Sequence, residues 1–315
     1  MISLRKFIEK INMEMEFTGE LRYDEPLALH TTFKVGGPAD LWIRPQAGCF
    51  PEYGAFLLHH AQSEGIPVFV LGGGANLVVS DQGIRGIVLD TGGWSGLRMI
   101  GEEAIIRSGT QIDAALDTLA AHKRGGLEFL AGMPGSFGGA LWMNARCYEK
   151  SLSDVLVSAE SLDADFHQHL VPYRAEDYGY KRSPFQNQDR LILFVRLKTM
   201  PRSETAIRQE MEQYRLDRER KGHYRFPSAG SAFKNNRNFG KPTGKILDEL
   251  GLRGLGIGGA AVAPWHGNII INTGNACAQD IRALVLHITE RVQTTLGIQL
   301  EPEIRFVGDW PPQET

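Results

Sequence analysis

The sequence predicts a chain of mixed α and β structure folded as two or three compact units, and three observations carry that reading. Its 315 residues exceed one typical domain. Short apolar runs separated by glycine turns alternate with amphipathic helix patterns, so neither element type dominates. Composition then changes at Met200-Pro201, where a highly charged helix begins, and a domain boundary is placed there. Hydrophobic residues make up 42% and charged ones 23%, near the soluble-globular average, whereas 36 glycines are an excess that points to many tight turns against a ligand. The net charge of −3, without a dense Lys/Arg stripe, argues against nucleic acid and anionic membrane surfaces as partners.

Cys49, Cys147 and Cys277 are far apart and odd in number, with no C-x-x-C or Cys/His spacing, so neither a disulfide framework nor a metal site is expected and a reducing cytoplasm fits. The segment Met1 to Glu20 carries Arg5, Lys6, Glu9 and Lys10, which rules out the apolar core of a signal peptide. Leu4, Phe7, Ile8 and Ile11 instead mark one face of a short helix. No apolar run approaches the roughly 18 residues that span a bilayer. Oligomeric state is left open, a monomer being compatible with the composition.

After that helix, His30 to Asp40 reads as a strand and a glycine turn, with a second strand through Leu41-Trp42-Ile43. A helix follows from Pro51 to Gly65, then three short strands at Val68 to Leu71, Leu77 to Val79 and Gly86 to Leu89. The loop Gly72-Gly73-Gly74-Ala75-Asn76 between the first two is neither G-x-x-x-x-G-K-[ST] nor G-x-G-x-x-G opening a helix, because Leu77-Val78-Val79 continues as a strand; a Rossmann site is disfavoured. Two readings stay open: a structural turn, or a nest of backbone N–H groups for an anion with the Asn76 amide as a further donor. Residues Gln111 to Lys123 form a clear helix, with Ile112, Ala115, Leu116, Leu119 and Ala120 on one face. The stretch Gly132 to Ala145 is a second glycine-rich segment with few side chains to obstruct a flat or charged ligand. Two such loops in one half imply one extended cofactor. Strands at Val155 to Leu162 and Leu191 to Leu197 bracket a turn at Tyr178 to Phe185.

In the second half, the charged helix runs toward Lys221, and mixed charges of that kind ordinarily form a solvated face. Pro227 to Asn236 then packs hydroxyls, Gly230, a lysine and two amides into ten residues. It reads either as an ordinary Ser/Gly turn or as a bend that presents the Ser231 hydroxyl. Thr243 to Leu250 is a short helix with Thr243 as its N-cap, and Gly244-Lys245 is rejected as a phosphate loop because Ile246 stands where Ser or Thr is needed. Ala260 to Val262 and Ile269 to Ile271 are strands, Gln279 to Leu296 a long amphipathic helix, and Leu300 to Phe306 a closing strand.

Taken in order, TTFKVGGPADL, LGGGANLVVSDQGIRGIVL, LEFLAGMPGSFGGALWMNA, PSAGSAFKNN, TGKILDELGLRG, INTGNA and LEPEIRFVG resemble the UDP-N-acetylenolpyruvoylglucosamine reductase family from about Thr31 to Gly308. The resemblance implies an α+β fold: a two-part FAD-binding region of the vanillyl-alcohol-oxidase type plus a smaller α+β substrate-binding domain. The corresponding division is 1–90, 91–200 and 201–299, with the strand 300–308 returning near the active site. It also implies FAD as cofactor, NADPH as hydride donor and a sugar-nucleotide substrate whose enolpyruvyl group is reduced, a step in peptidoglycan precursor synthesis. Leu71 to Leu77 holds no histidine, so the flavin is expected to be non-covalent.

By the same resemblance, Gly72, Gly73, Gly74, Ala75, Asn76, Leu77, Gly132, Pro134, Gly135, Ser136, Gly138, Gly139 and Asn144 hold FAD. Ser231 is the proton donor after hydride delivery, and Glu303 the catalytic carboxylate, which on its own would read as an ion-pairing residue at a strand end. Where the family shows Tyr-Arg-x-Ser, this chain has Tyr180-Lys181-Arg182-Ser183. Lys181 occupies the arginine position without the planar two-pronged contact, and Arg182 beside it is its rival. Lys221, Asn235 and His266 fall at substrate positions. Arg146-Cys147 replaces the commoner Gly-Ala, and Cys147 reads as inert packing. The competing readings are another FAD-dependent oxidoreductase of the same superfold, or a non-catalytic flavin or sugar-nucleotide binder.

Overall fold

The structure, a computed structural model, describes residues 3–188 and 190–311; Met1 and Ile2, at the start of the expected first helix, lie outside the described residues. The chain divides into two compact units. The first comprises Met1–Tyr23, Asp40–Gly73 and Gly86–Leu216, the second Asp24–Ala39, Gly74–Arg85 and Asp217–Thr315. The triple-glycine loop therefore changes unit between Gly73 and Gly74, and the charged helix Glu204–Arg220 changes unit between Leu216 and Asp217.

In the first unit, helix Leu4–Glu14 is capped by Ser3, whose hydroxyl accepts from the Lys6 N–H, and it buries Phe7, Ile8 and Ile11. A four-stranded sheet belonging mainly to this unit has the order Gly19–Pro26, Pro38–Pro45, Ile84–Asp90, Val68–Leu71, the last two parallel. The expected strand at His30 to Val35 is absent: Leu27–His30 is a 3-10 turn, and the ladder partner is Gly19–Pro26. Helix Phe50–Ser63 packs Phe50, Tyr53 and Leu57 into one core with Leu41, Ile43, Ile87 and Leu89. An all-antiparallel five-stranded sheet follows, ordered Gln168–Pro172, Leu156–Leu162, Leu191–Lys198, Glu103–Arg107, Leu97–Ile100. Helix Ile112–Ala121 lays the predicted apolar face, Ile112, Ala115, Leu116, Leu119 and Ala120, into the core with Ile106 and Val195. Met200–Pro201 pairs with Arg124–Gly125.

In the second unit, a three-stranded antiparallel sheet, Gly256–Ile257, Ala260–Val262 and Ile270–Asn272, is covered by helix Ala278–Leu296 through Ile281, Leu284, Val285, Ile288 and Val292. The first N–H groups of that helix, at Ala278 and Gln279, donate to the Asp81 carboxylate at 2.8 and 2.9 Å, a distant acid satisfying a helix N-terminus. Strand Leu77–Val79 pairs in parallel with Arg305–Val307, so of the expected Leu300 to Phe306 strand only Arg305 and Phe306 enter this ladder. Among the described residues no helix is long and apolar enough to cross a membrane.

Candidate active site

In the first unit the two glycine-rich stretches touch through bare backbone. A Cβ at Gly73 would lie 2.5 Å from Gly135 Cα, and one at Gly72 would lie 2.7 Å from Ser136 Oγ. Glycine here is a packing requirement before it is a ligand requirement. Gly138 is pressed against Ser108, donating its N–H to the Ser108 carbonyl at 2.7 Å. Ile112 N–H donates to the Gly135 carbonyl, and Gly132 N–H to Asp113 Oδ1, so the second stretch hangs from the start of helix Ile112–Ala121. Ser136 is buried and accepts from the Gly139 N–H, capping helix Phe137–Trp142. Pro134, between them, contributes no N–H. Side chains are therefore excluded where the two loops meet.

Asn144 is 3% exposed and sits at a φ of 41°, a left-handed conformation that asparagine tolerates better than most residues. Its amide nitrogen donates to the Gly179 carbonyl at 2.8 Å, and its amide oxygen accepts from the Ser153 N–H at 3.1 Å. The side chain thus braces the turn that carries the two candidate cations. Gly179 and Arg182 exchange reciprocal backbone bonds of 3.1 Å, leaving Tyr180 and Lys181 at the tip. Lys181 adopts a φ of 55° with Nζ 5.9 Å from the Tyr180 ring centre. Arg182 is turned back, Nη2 donating to the Glu176 carbonyl at 3.1 Å. Ser183 anchors the far side by donating to the Trp142 carbonyl at 2.7 Å. Cys147 donates to the Phe129 carbonyl at 2.9 Å.

In the second unit, the remainder of the triple-glycine loop is stitched to the chain ahead of it. Gly74, at a φ of 61°, would place a Cβ 1.9 Å from the His30 carbonyl oxygen, and its own carbonyl accepts from Thr32 N–H. Beyond Ala75, Asn76 Nδ2 donates to the Glu303 carbonyl at 3.0 Å while its own carbonyl accepts from Arg305 N–H, and Leu77 opens the strand paired with Arg305–Val307.

Ser231 to Lys234 runs as an extended segment between two others. Ser231 bridges Ile269, and Ala232 N–H donates to Asn268 O. On the opposite edge Glu303 N–H donates to Ala232 O at 2.8 Å, and Lys234 N–H to Glu301 O. The buried Asn268 side chain holds the strip in place, accepting from Phe233 N–H and donating to Phe233 O. Ala232, the neighbour of Ser231, is thereby paired with the distant Glu303, to which Asn76 is also bonded. Gly230, at a φ of 73° with open space at its Cβ position, makes the bend that precedes Ser231.

Asn235 is exposed, and its Oδ1 accepts from Thr243 N–H at 2.9 Å. Thr243 is the first residue of helix Thr243–Glu249 rather than its cap, its hydroxyl donating to Lys234 O. The side-chain acceptor at this helix start comes from Asn235. His266 Nδ1 accepts from Asn268 N–H at 3.1 Å, which leaves Nε2–H as the donor of a neutral ring. Burial pushes its pKa below the usual imidazole range, against the opposing pull of Asp248. Lys221 pairs with Asp217 at 2.6 Å on the surface.

One group escaped sequence reasoning. His223 has its pKa pushed down to about 4 by burial, with the positive charge of Arg218 and the neighbouring His266 and Lys221 adding to it. Gly222 beside it is packed against the Trp265 indole. The signal available in the sequence was the apposition of Gly222-His223 and Trp265-His266, which carries meaning only once the two loops are folded.

Residues 222–307 match the family described as UDP-N-acetylenolpyruvoylglucosamine reductase, C-terminal domain, and residues 55–167 match FAD binding domain. The UDP-N-acetylenolpyruvoylglucosamine reductases of Treponema pallidum and Treponema denticola are each 38% identical to the chain, covering 91% and 93% of it and 94% and 95% of their own lengths. That of Borreliella burgdorferi is 35% identical over 97% of the chain and 98% of its own. The crystal structure of UDP-N-acetylenolpyruvylglucosamine reductase from Thermus caldophilus superposes with a TM-score of 0.74 at 32% identity, covering 94% of this chain and all of that one. With its first unit built of α+β layers around glycine loops and its relatives matched nearly end to end, the chain belongs to the UDP-N-acetylenolpyruvoylglucosamine reductase family.

Proposed function

We propose that the protein reduces UDP-N-acetylenolpyruvoylglucosamine to UDP-N-acetylmuramate for peptidoglycan synthesis, with non-covalent FAD and with NADPH as reductant. The single observation that best supports the chemistry is the backbone pairing of Glu303 with Ala232, the residue next to Ser231, on one hydrogen-bonded strip. We read 1–90 and 91–200 as the two flavin-binding parts, 201–299 as the substrate-binding part and 300–308 as the strand that returns Glu303 to it.

When bound, FAD carries the hydride from NADPH to the enolpyruvyl carbon. Gly72, Gly73, Gly74, Ala75, Asn76 and Leu77 with Gly132, Pro134, Gly135, Ser136, Gly138 and Gly139 would hold it, joined by Asn144, whose side chain braces the cation turn. An enol ether next to a carboxylate accepts hydride only if charge developing toward the carboxylate is stabilised and the adjacent carbon is then protonated. Lys181 supplies the cation. Its place in the motif favours Lys181 over its rival Arg182, whose Nη2 donates to the Glu176 carbonyl. Ser231 delivers the proton. A free serine hydroxyl is a weak acid, so its competence comes from its fixed position on the strip and from its surroundings. Asn235, Lys221 and the Nε2–H of His266 bind the sugar nucleotide.

The purified yellow protein is expected to consume NADPH steadily only when UDP-N-acetylenolpyruvoylglucosamine is added; failure to do so overturns the activity. Ser231→Ala is expected to leave flavin reduction by NADPH intact while turnover drops by roughly 10²- to 10⁴-fold, the usual worth of a positioned general acid. Undiminished turnover would remove Ser231 from the role.

A further inference from the structure

The hairpin joining Leu156–Leu162 to Gln168–Pro172 collects metal-ligating side chains that the flavin chemistry does not use. Gln168–Pro172 is an edge strand of the five-stranded sheet. Between the strands the chain reverses through Asp163-Ala164-Asp165-Phe166-His167, with Phe166 at a φ of 63°. Asp163 Oδ1 accepts from the N–H groups of Asp165 and His167, which holds the reversal closed. Its other oxygen, Oδ2, lies 2.7 Å from His169 Nε2 and 3.5 Å from His167 Nδ1. Ligand atoms of Asp163, Asp165 and His167 all lie within 4.8 Å of one another. His59, from helix Phe50–Ser63, stands beside them, with Nδ1 3.8 Å from Asp165 Oδ1 and 2.9 Å from the Ala164 carbonyl.

Carboxylates gather on many surfaces without meaning. Two imidazoles converging on the same carboxylate change the chemistry, because nitrogen donors select borderline transition ions over Mg²⁺ and Ca²⁺. Tetrahedral zinc, with bonds of ~2.0–2.2 Å, needs ligand atoms about 3.3–3.5 Å apart. The His167–Asp163 separation of 3.5 Å already meets that spacing, and the 2.7 Å His169–Asp163 contact reaches it by a small opening of side chains that are partly exposed. We propose that Asp163, Asp165, His167 and His169 form a binding site for a divalent transition ion of the zinc class that clasps the end of this edge hairpin. Such a site stabilises the folded chain in proportion to its occupancy, because it is the hairpin that gathers Asp163, Asp165 and His167 within 4.8 Å and sets His169 against Asp163.

The test uses tag-free, flavin-loaded protein freed of metal with a chelator and then titrated with zinc chloride alone in a calorimeter. Wild type is expected to bind about one equivalent, to gain a few degrees in melting temperature and to give no heat with Mg²⁺. The double variant His167→Ala, His169→Ala is expected to lose affinity by ~10-fold or more. It should retain wild-type circular dichroism and NADPH-dependent turnover. Asp163→Asn, which keeps the turn acceptors, is expected to weaken binding alike. The exposed thiol of Cys277 is the natural competitor. Loss of zinc binding in Cys277→Ser with no loss in the histidine variant would overturn the proposal, as would absence of binding in wild type.

Discussion

Removing the Asn144 amide is the perturbation with the most legible consequence. The side chain is 3% exposed and pairs a carbonyl of the cation turn with an N–H of the neighbouring segment. Ser153 is itself buried, so in Asn144→Ala its N–H loses its side-chain acceptor away from water, at a cost of about 1–3 kcal/mol. Gly179 is only half-buried, so water recovers part of its lost bond and the penalty there is nearer 1 kcal/mol. The φ of 41° adds about 1 kcal/mol for alanine. Asn144→Ala should therefore destabilise by ~3–5 kcal/mol, and Asn144→Gly, which is relieved of the backbone strain, by about 1 kcal/mol less. Urea unfolding of the flavin-loaded variants measures both. The same variants should lose kcat/KM through a loosened Lys181 turn. Equal midpoints for wild type and Asn144→Ala would refute the brace; a destabilised variant with undiminished kcat/KM would refute its connection to catalysis.

Three further outcomes test other parts of the site. Lys181→Ala is expected to lower kcat/KM by roughly ten- to a hundredfold, the worth of a hydrogen bond to a charged group, with Lys181→Arg restoring most of it and Arg182→Ala costing little; a larger loss in Arg182→Ala reverses the assignment. Gly73→Ala forces a Cβ to 2.5 Å from Gly135 Cα, so its flavin-to-protein absorbance ratio after purification should fall well below wild type. His223 has a folded pKa of about 4 against an unfolded value near 6.5. In that window the unfolded chain binds the extra proton, so stability is fully present above about 6.5 and is lost as pH falls toward 4. His223→Gln should flatten the wild-type dependence of unfolding free energy on pH over that range, and an unchanged slope would show that His223 does not titrate as described.

Periodic patterns were legible because their cause is local. The apolar face of Ile112–Ala121 and that of Ala278–Leu296 follow from a 3.6-residue repeat, and both appear within a residue or two of where the spacing puts them. Gly19–Pro26 carried a weaker signal, since its two-residue alternation sets Leu21 and Tyr23 on the face whose buried member is the charged Glu25. Where the reading failed, a distant partner had overridden local preference. Thr32 and Val35 look like strand residues, yet Thr32 N–H is taken by the Gly74 carbonyl and no ladder forms. Phe137–Trp142 is helical in a glycine-rich stretch of poor propensity because Ser136 caps it and Ser108 admits only a glycine at 138. Leu300 to Ile304 stays out of the ladder because its backbone bonds are spent on the Ser231 strip, Glu303 with Ala232 and Glu301 with Lys234.

By itself, the sequence determined the kinds of element, the glycine-rich character of the cofactor loops, the family, and a short register of residues for the chemistry, since composition, periodicity and ordered motifs are properties of neighbours along the chain. Tertiary structure alone decided which of those residues share hydrogen bonds. It turned Arg182 back onto Glu176, spent both ends of the Asn144 amide on the protein, set Glu303 against Ala232, and brought His167 and His169 onto Asp163. The reason is geometric: a hydrogen bond selects a partner by position and direction within about 3 Å, and no pattern along the sequence encodes that distance for groups far apart in the chain.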